Sequence, residues 1–172
     1  AREYDLVLTS AGVSLGYYDI VKEVLMRYGD LSLWTVRMRP GKPVAFGLLR
    51  GAPEDPWEKT IPLIGLPGNP VSAMVVFYIL ARPAILKMMG YTQWDLPSVE
   101  AILEDPIVNF DQRRTYARAF VEKKNGNYYA KLSGPQGSNI LTGMARANGL
   151  AICPEDTPVL NPGDKAQILL LE

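Results

Sequence analysis

Three segments of the sequence combine glycines with hydroxyl, acidic or basic side chains, and all three suit the binding of an oxyanion. The first, Ser10-Ala11-Gly12-Val13-Ser14-Leu15-Gly16, sits where an apolar strand hands over to a helix. There, glycines let backbone N–H groups approach a ligand, and the helix N-terminus favours negative charge. Ser14 adds a hydroxyl donor, and Asp19 follows at the helix start. Asp19 has two readings: a ligand for magnesium or an orienter of phosphate-bound water, or a helix cap contributing about 1 kcal/mol. The second segment, Arg37-Met38-Arg39-Pro40-Gly41-Lys42-Pro43, centres on a Pro-Gly pair that favours a type II turn. Arg39 and Lys42 flank it, so a planar fork and a mobile point charge could converge on one phosphate or tetrahedral dianion. A solvated hairpin tip is the alternative. The third, Leu66-Pro67-Gly68-Asn69-Pro70-Val71-Ser72, leads into an apolar helix. Its free N–H groups and the Ser72 hydroxyl form an anion cradle, or simply the start that any helix needs. Each turn lies at the C-terminal end of a strand, the edge at which open α/β sheets gather ligands.

A fourth cluster lies further on: Arg113-Arg114-Thr115-Tyr116-Ala117-Arg118, then Gly137-Ser138-Asn139. Arg118 and Ser138 could face an anion held by the first half, or be an exposed strand arginine and a loop serine. The composition narrows the remaining chemistry. There is no histidine and one cysteine, Cys153. An intramolecular disulfide is therefore excluded, a zinc site is disfavoured, and no triad built on histidine is available. Hard oxygen-ligated metals such as magnesium stay open. Cys153 reads as a small buried residue, and a reducing, cytoplasmic setting fits it. Lysine plus arginine equals aspartate plus glutamate, 18 each. The overall charge thus gives no reason to expect nucleic acid or an anionic membrane. The most apolar stretch, Val71 to Ala81, is too short to span a bilayer and runs into Arg82 and Pro83.

These turns need elements to hold them. Leu6 to Leu8 form a short apolar run typical of a strand covered on both faces. A strand of that kind expects neighbours, so the chain reads as a fragment of a longer protein. Ile20 to Tyr28 read as a helix with Gly29 at its end. Leu31 to Met38, Val44 to Leu49 and Ile61 to Gly65 read as strands, with Gly51 to Thr60 as a polar, proline-bearing loop. Asn69 at the N-cap and Pro70 at the first helical position open a helix. It is apolar nearly all round over Val71 to Leu80, which predicts burial on more than one side. Pro83 must kink or restart it. Near Tyr91 to Pro97 the composition changes to short alternating segments: Val99 to Leu103, Tyr116 to Glu122, Tyr128 to Leu132, Leu150 to Ile152 and Lys165 to Leu171. Asn125-Gly126 signals a hairpin between two of them, and Ile140 to Arg146 a short helix. The fold expected is an α/β layered domain with some parallel strands, followed by a small mostly-β barrel.

Taken in order, these motifs resemble the MoeA family, known as the E domain in gephyrin and the plant enzymes. SAGVSLGYYD stands against the family's Ser-Gly-Gly-Val-Ser-x-Gly-x-x-Asp, MRPGKP against its Lys-Pro-Gly-Lys-Pro, and LPGNPVS is almost unchanged. RRTYAR, GPQGSNIL and ARANGL extend the match through the second half. The resemblance implies a MogA/MoeA-like domain over residues 1–93, incomplete at its N-terminus, and a C-terminal barrel-like domain over 94–172. It implies insertion of molybdate into adenylylated molybdopterin with release of AMP and a requirement for Mg2+. Carried over position by position, Asp19 becomes the metal and pyrophosphate residue, with Lys42 as its catalytic partner. Ser10, Gly12, Ser14, Gly16, Arg39, Gly41, Pro67, Gly68, Asn69 and Ser72 line the substrate pocket. Arg118 and Ser138 match positions of molybdate or substrate contact. A homodimer is implied as well, with no nucleic-acid or membrane partner.

The sequence departs from the family at three points. Ala11 replaces the first glycine of the pair, so a positive φ there would be costly. Arg39 replaces a lysine, keeping charge but changing geometry, and Thr35 stands where some members carry a further lysine. Family members also have acidic residues and strands before this point, so the segment by itself is expected to be inactive. Two other readings remain. A MogA-type molybdopterin adenylyltransferase would lack the β-rich part from about Pro97, and a gephyrin-like scaffolding module would need a peptide groove.

Overall fold

The computed structural model describes residues 3–11, 23, 26–52 and 54–171, without the side chain of residue 57. The chain forms a four-stranded sheet, a long helical rod and a small closed barrel. The sheet contains β1 (Val7–Ser10), β2 (Gly29–Thr35), β4 (Pro43–Ala52) and β5 (Asp55–Leu66), in the order β1-β5-β4-β2. β1 pairs with β5 in parallel, while β5–β4 and β4–β2 are antiparallel. The parallel pair sets the C-terminal ends of β1 and β5 side by side, so Ala11 and Pro67 leave the sheet at one edge.

Two expectations for this half need correction. Gly51 to Thr60 is not a loop: it turns tightly and returns as the first half of β5, with Ala52 opposite Asp55 and Gly51 opposite Pro56. β1 reaches only as far along β5 as Leu63. Positions 56 and 62 therefore face no partner on that side, and prolines, which cannot donate to a ladder, are tolerated there. Leu31 to Met38 is not one strand either. β2 stops at Thr35, and the chain changes sheets to form β3 (Met38–Arg39), which runs parallel to barrel residues Arg114 and Thr115.

The rod runs from Pro70 to Met88 as α1 (Pro70–Val76), a π-helical stretch (Phe77–Ala81) and α2 (Arg82–Met88). Asn69 caps it by accepting a hydrogen bond from the Ser72 N–H. The π stretch absorbs Pro83: the Arg82 N–H reaches back to the Phe77 carbonyl, one residue beyond α-helical reach. Its 19 residues make the rod long and apolar enough by composition to cross a bilayer, beyond the shorter run read from the sequence. It nonetheless works as a core helix. Val71, Val75, Val76 and Ala81 are fully buried, packed with Val44, Ile64 and Leu66 of the sheet and with Tyr116, Met144 and Leu150 of the barrel half. Burial is confined to this stripe. Met74 is 39% exposed and the residues from Phe77 to Leu80 are half-buried, so burial on several sides does not hold among the described residues.

The barrel closes through β8 (Arg114–Lys124), β10 (Gly149–Cys153), β12 (Lys165–Leu170), β6 (Ser98–Leu103) and β9 (Asn127–Leu132), with β9 returning to β8. Its interior is filled by small residues such as Ala101, Ala117, Ala119, Ala130 and Ala151 with Ile168 and Cys153, as a narrow barrel demands. Asn125 and Gly126 both take positive φ, 50° and 87°, and form the hairpin turn between β8 and β9. A two-stranded ribbon, β7 (Ile107–Val108) with β11 (Val159–Leu160), went unrecognised in the sequence. Helix α3 (Leu141–Arg146) ends just before Asn148. The Asn148 side chain clamps β8, exchanging two hydrogen bonds with the Val121 backbone.

Candidate functional site

The site is assembled where the chain crosses from sheet to barrel. Gly41 adopts a φ of 107°, the positive value a Pro-Gly turn needs, and the Arg39–Pro40 bond is cis. A Cβ on Gly41 would lie 2.4 Å from Val76 Cγ2. Only glycine therefore lets this turn sit flush on the rod and hold Arg39 and Lys42 beside the start of α1. From the barrel side, the loop at Gln136, Gly137 and Ser138 closes over the same place. The Asn69 Nδ2 donates to Ser138 Oγ across the gap at 3.3 Å.

These pieces enclose a cleft of about 270 Å³ between rod and barrel. Three cations line it: Arg39, Lys42 and Arg113. Ser72 and Ser138 supply hydroxyls, and Gln136 an amide. Arg39 and Lys42 have no carboxylate partner within ion-pair distance among the described residues. Arg113 is held by Asp111, whose Oδ2 accepts from Arg113 Nε at 2.8 Å. That hydrogen bond keeps the Asp111 carboxyl below the usual aspartate range, and the nearby Arg39 charge acts in the same direction. An excess of fixed positive charge with hydroxyl donors, and no histidine or thiol, can bind and stabilise an oxyanion without forming a covalent intermediate.

Of the residues expected from the sequence, Arg39, Gly41, Lys42, Ser72 and Ser138 line this cleft, and Asn69 is tied to Ser138. Ser10 ends β1 opposite Leu66. Pro67 and Gly68 stand beside it, with Ala11 donating to the Leu66 carbonyl at 3.1 Å. Ala11 does take the costly positive φ, 96°. Gly12, Ser14, Gly16 and Asp19 lie outside the described residues. Among the described residues no three acidic, cysteine or histidine groups gather as metal ligands.

Arg118 is turned away from the cleft by its partners. It is 1% exposed and does not line the cleft. Its Nη2 donates to the Pro135 and Gly137 carbonyls at 2.9 and 3.1 Å, and burial pulls its guanidinium below the ordinary arginine value. The barrel arginine that reaches the cleft is Arg113. Arg113 lies just before β8 and Arg118 within it, so strand alternation does not relate the two, and the sequence does not say which of them faces the cleft. Gln136 was missed too, although it lies within the GPQGSN segment.

Comparison with known proteins places these features in context. The family model described as a probable molybdopterin binding domain matches residues 1–87. The MoeA C-terminal region (domain IV) matches residues 100–171. The chain is 35% identical over 166 residues to a protein named molybdopterin molybdenumtransferase from Haemophilus influenzae, covering 95% of this chain. It is 32% identical to gephyrin from Dictyostelium discoideum, covering 99% of this chain. The chain spans only 39% of the length of the first of these relatives and 26% of the second. Its fold is that of the molybdopterin biosynthesis MoeA protein of Pyrococcus horikoshii. The TM-score is 0.74 at 24% identity, over 98% of this chain and 37% of that one.

Proposed function

The chain belongs to the MoeA family of molybdenum cofactor synthesis, and on that premise we propose that its cationic cleft forms part of the active site of a molybdopterin molybdenumtransferase. The substrates proposed are adenylylated molybdopterin and molybdate, with AMP released. The observation that carries this reading is the convergence of Arg39, Lys42 and Arg113 with the Ser72 and Ser138 hydroxyls in one cleft. Breaking the pyrophosphate bond leaves negative charge on a departing phosphate oxygen. Cations and hydroxyl donors already in place meet that charge without reorganising. Arg39 suits a forked contact to two oxygens, and Lys42, exposed and unpaired among the described residues, can follow the oxygen on which charge develops. The barrel supplies Arg113, Gln136 and Ser138 to this arrangement, which disfavours the adenylyltransferase reading that would dispense with it.

Magnesium belongs to the proposal only through Asp19 and the substrate phosphates, since Asp111, the described carboxylate that pairs with a cleft cation, is committed to Arg113. A cytoplasmic setting and a homodimer complete it. AMP release by the full-length protein, with molybdate present and absent, is the direct test. Molybdate-dependent release is expected, and Lys42→Ala should lower kcat/KM by about 10²-fold or more while the protein stays folded. Asp19→Ala should lose activity as well. Release that ignores molybdate, or a Lys42→Ala protein as active as wild type, would remove the assignment.

A further inference from the structure

The buried guanidinium of Arg118 has no place in the cleft, yet the loop that closes the cleft is built around it. We propose that Arg118 is a positioning residue that turns the backbone N–H groups of Gln136 and Ser138 toward the cleft, making them a peptide-backbone site for the bound oxyanion. This rests on the cleft reading above and adds ligands to it that no side chain supplies.

Gly134, Pro135 and Gly137 contribute almost no side chain to packing, so the loop is held by hydrogen bonds: Gln136 Nε2 donates to the Gly134 carbonyl at 2.8 Å, the Ile140 N–H to the Gly137 carbonyl at 3.1 Å, and Arg118 ties the loop to the barrel. Its Nη2 pulls the carbonyls of Pro135 and Gly137 inward, at 2.9 and 3.1 Å. The Gln136 amide locks the same strand position. It accepts from the Arg118 N–H at 2.8 Å and donates to the Arg118 carbonyl at 3.1 Å. It thereby continues the ladder of β8 where β9 ends at Leu132. Ser133 adds two further hydrogen bonds to that carbonyl.

A trans peptide is planar, so its N–H points opposite to its carbonyl. The carbonyls of residues 135 and 137 belong to the peptides whose N–H groups are those of Gln136 and Ser138. Neither N–H donates to a backbone carbonyl outside the regular elements among the described residues. Both point away from the Arg118 guanidinium, and Gln136, Gly137 and Ser138 are walls of the cleft, whereas Arg118 lines only the neighbouring cavity that Arg39 and Gln136 also border. Two alternate N–H groups on the side of Arg39 and Lys42 form an anion-binding concavity of the kind that successive peptides make at phosphate sites. The Arg118 charge behind them is 1% exposed, and its Nε has no partner. A group buried at such cost is worth keeping where its two carbonyl contacts set the geometry of a site.

The test follows the backbone amides of Gln136 and Ser138 by 1H–15N NMR in the full-length protein titrated with inorganic phosphate. Both signals are expected to shift and to saturate with the binding isotherm. In Arg118→Met those shifts should vanish and phosphate affinity should fall by about tenfold or more, the loss of hydrogen bonds to a charged ligand. Arg118→Lys, able to reach one carbonyl, should recover part of both. Phosphate that binds wild type without moving either amide would overturn the positioning role and leave the cleft reading intact. So would an Arg118→Met protein that binds phosphate as tightly as wild type. Absence of any phosphate binding would overturn both. If Arg118→Met does not fold, the wild-type amide shifts decide.

Discussion

Two arginines five positions apart, one just before β8 and one within it, have opposite fates, and solvation separates them. Arg113 stays half-exposed at the cleft with Asp111 as counter-ion, whereas Arg118 gives up water for two carbonyls. The Asp111 pair has consequences of its own. Its carboxyl titrates below the ordinary aspartate value in the folded protein, so the pairing contributes stability above the unfolded pKa. That contribution is lost as pH falls through the depressed one. About a third of each side chain is exposed, so water screens the pair and the contribution should be on the order of a few tenths of a kcal/mol. Asp111→Asn is expected to change the urea midpoint little at neutral pH. It should also remove a negative charge beside Arg39 and Arg113, and phosphate should bind about two- to threefold more tightly to this variant. Weaker binding would show that Asp111 serves the site by holding Arg113 in place.

At the scale of elements, the turns are shaped by what they abut. The turn at Gly41 lies against α1 so closely that a methyl group would sit 2.4 Å from Val76 Cγ2, on a backbone already at φ 107°. Gly41→Ala should cost about 1–3 kcal/mol of stability by chemical denaturation. At the end of β1 the position is reversed, since Ala11 carries a side chain at φ 96°. Ala11→Gly should therefore stabilise the protein by about 1 kcal/mol, the strain removed outweighing the added chain entropy. A fall in stability for Ala11→Gly would mean that the Ala11 methyl packs better than its backbone is strained. The two variants probe the two edges of one surface, since Gly68 of the third turn lies against Ala11.

For the whole molecule, the decisive fact is that one apolar core joins both halves. Met38, Val44 and Ile64 from the sheet side, Val71, Val75 and Val76 of the rod, and Tyr116, Met144 and Leu150 of the barrel half pack as a single cluster. The cleft lies at its rim, so its cations are held by a shared core rather than by a flexible junction. The opposite side of the rod remains half-buried, with Met74, Met88 and Met89 exposed. The proposed homodimer gives that apolar surface an occupant. Light scattering of the full-length protein should report twice the protomer mass, and Met74→Lys should shift the population toward monomer. A clean monomer at micromolar concentration would leave the surface unexplained.

Much of this was legible in the residues alone. Turn chemistry is local: Pro-Gly at 40–41, the Asn69 cap and the Asn125-Gly126 hairpin follow from which residues tolerate which φ, and the structure has all three. The barrel strands were readable because alternation along a strand is a short-range pattern. Long-range pairing was not. Nothing in Gly51 to Thr60 shows that Pro56 faces the unpaired side of a hairpin, because that depends on how far β1 reaches. Nor does the sequence show that Met38 and Arg39 leave one sheet for another. The glycine-bearing turns at 40–41 and 67–68 could be named from the sequence. Which barrel arginine joins them could not, because Arg113 and Arg118 are alike in chemistry. Tertiary packing decides which keeps its water, and it gives the cleft to Arg113 and the loop carbonyls to Arg118.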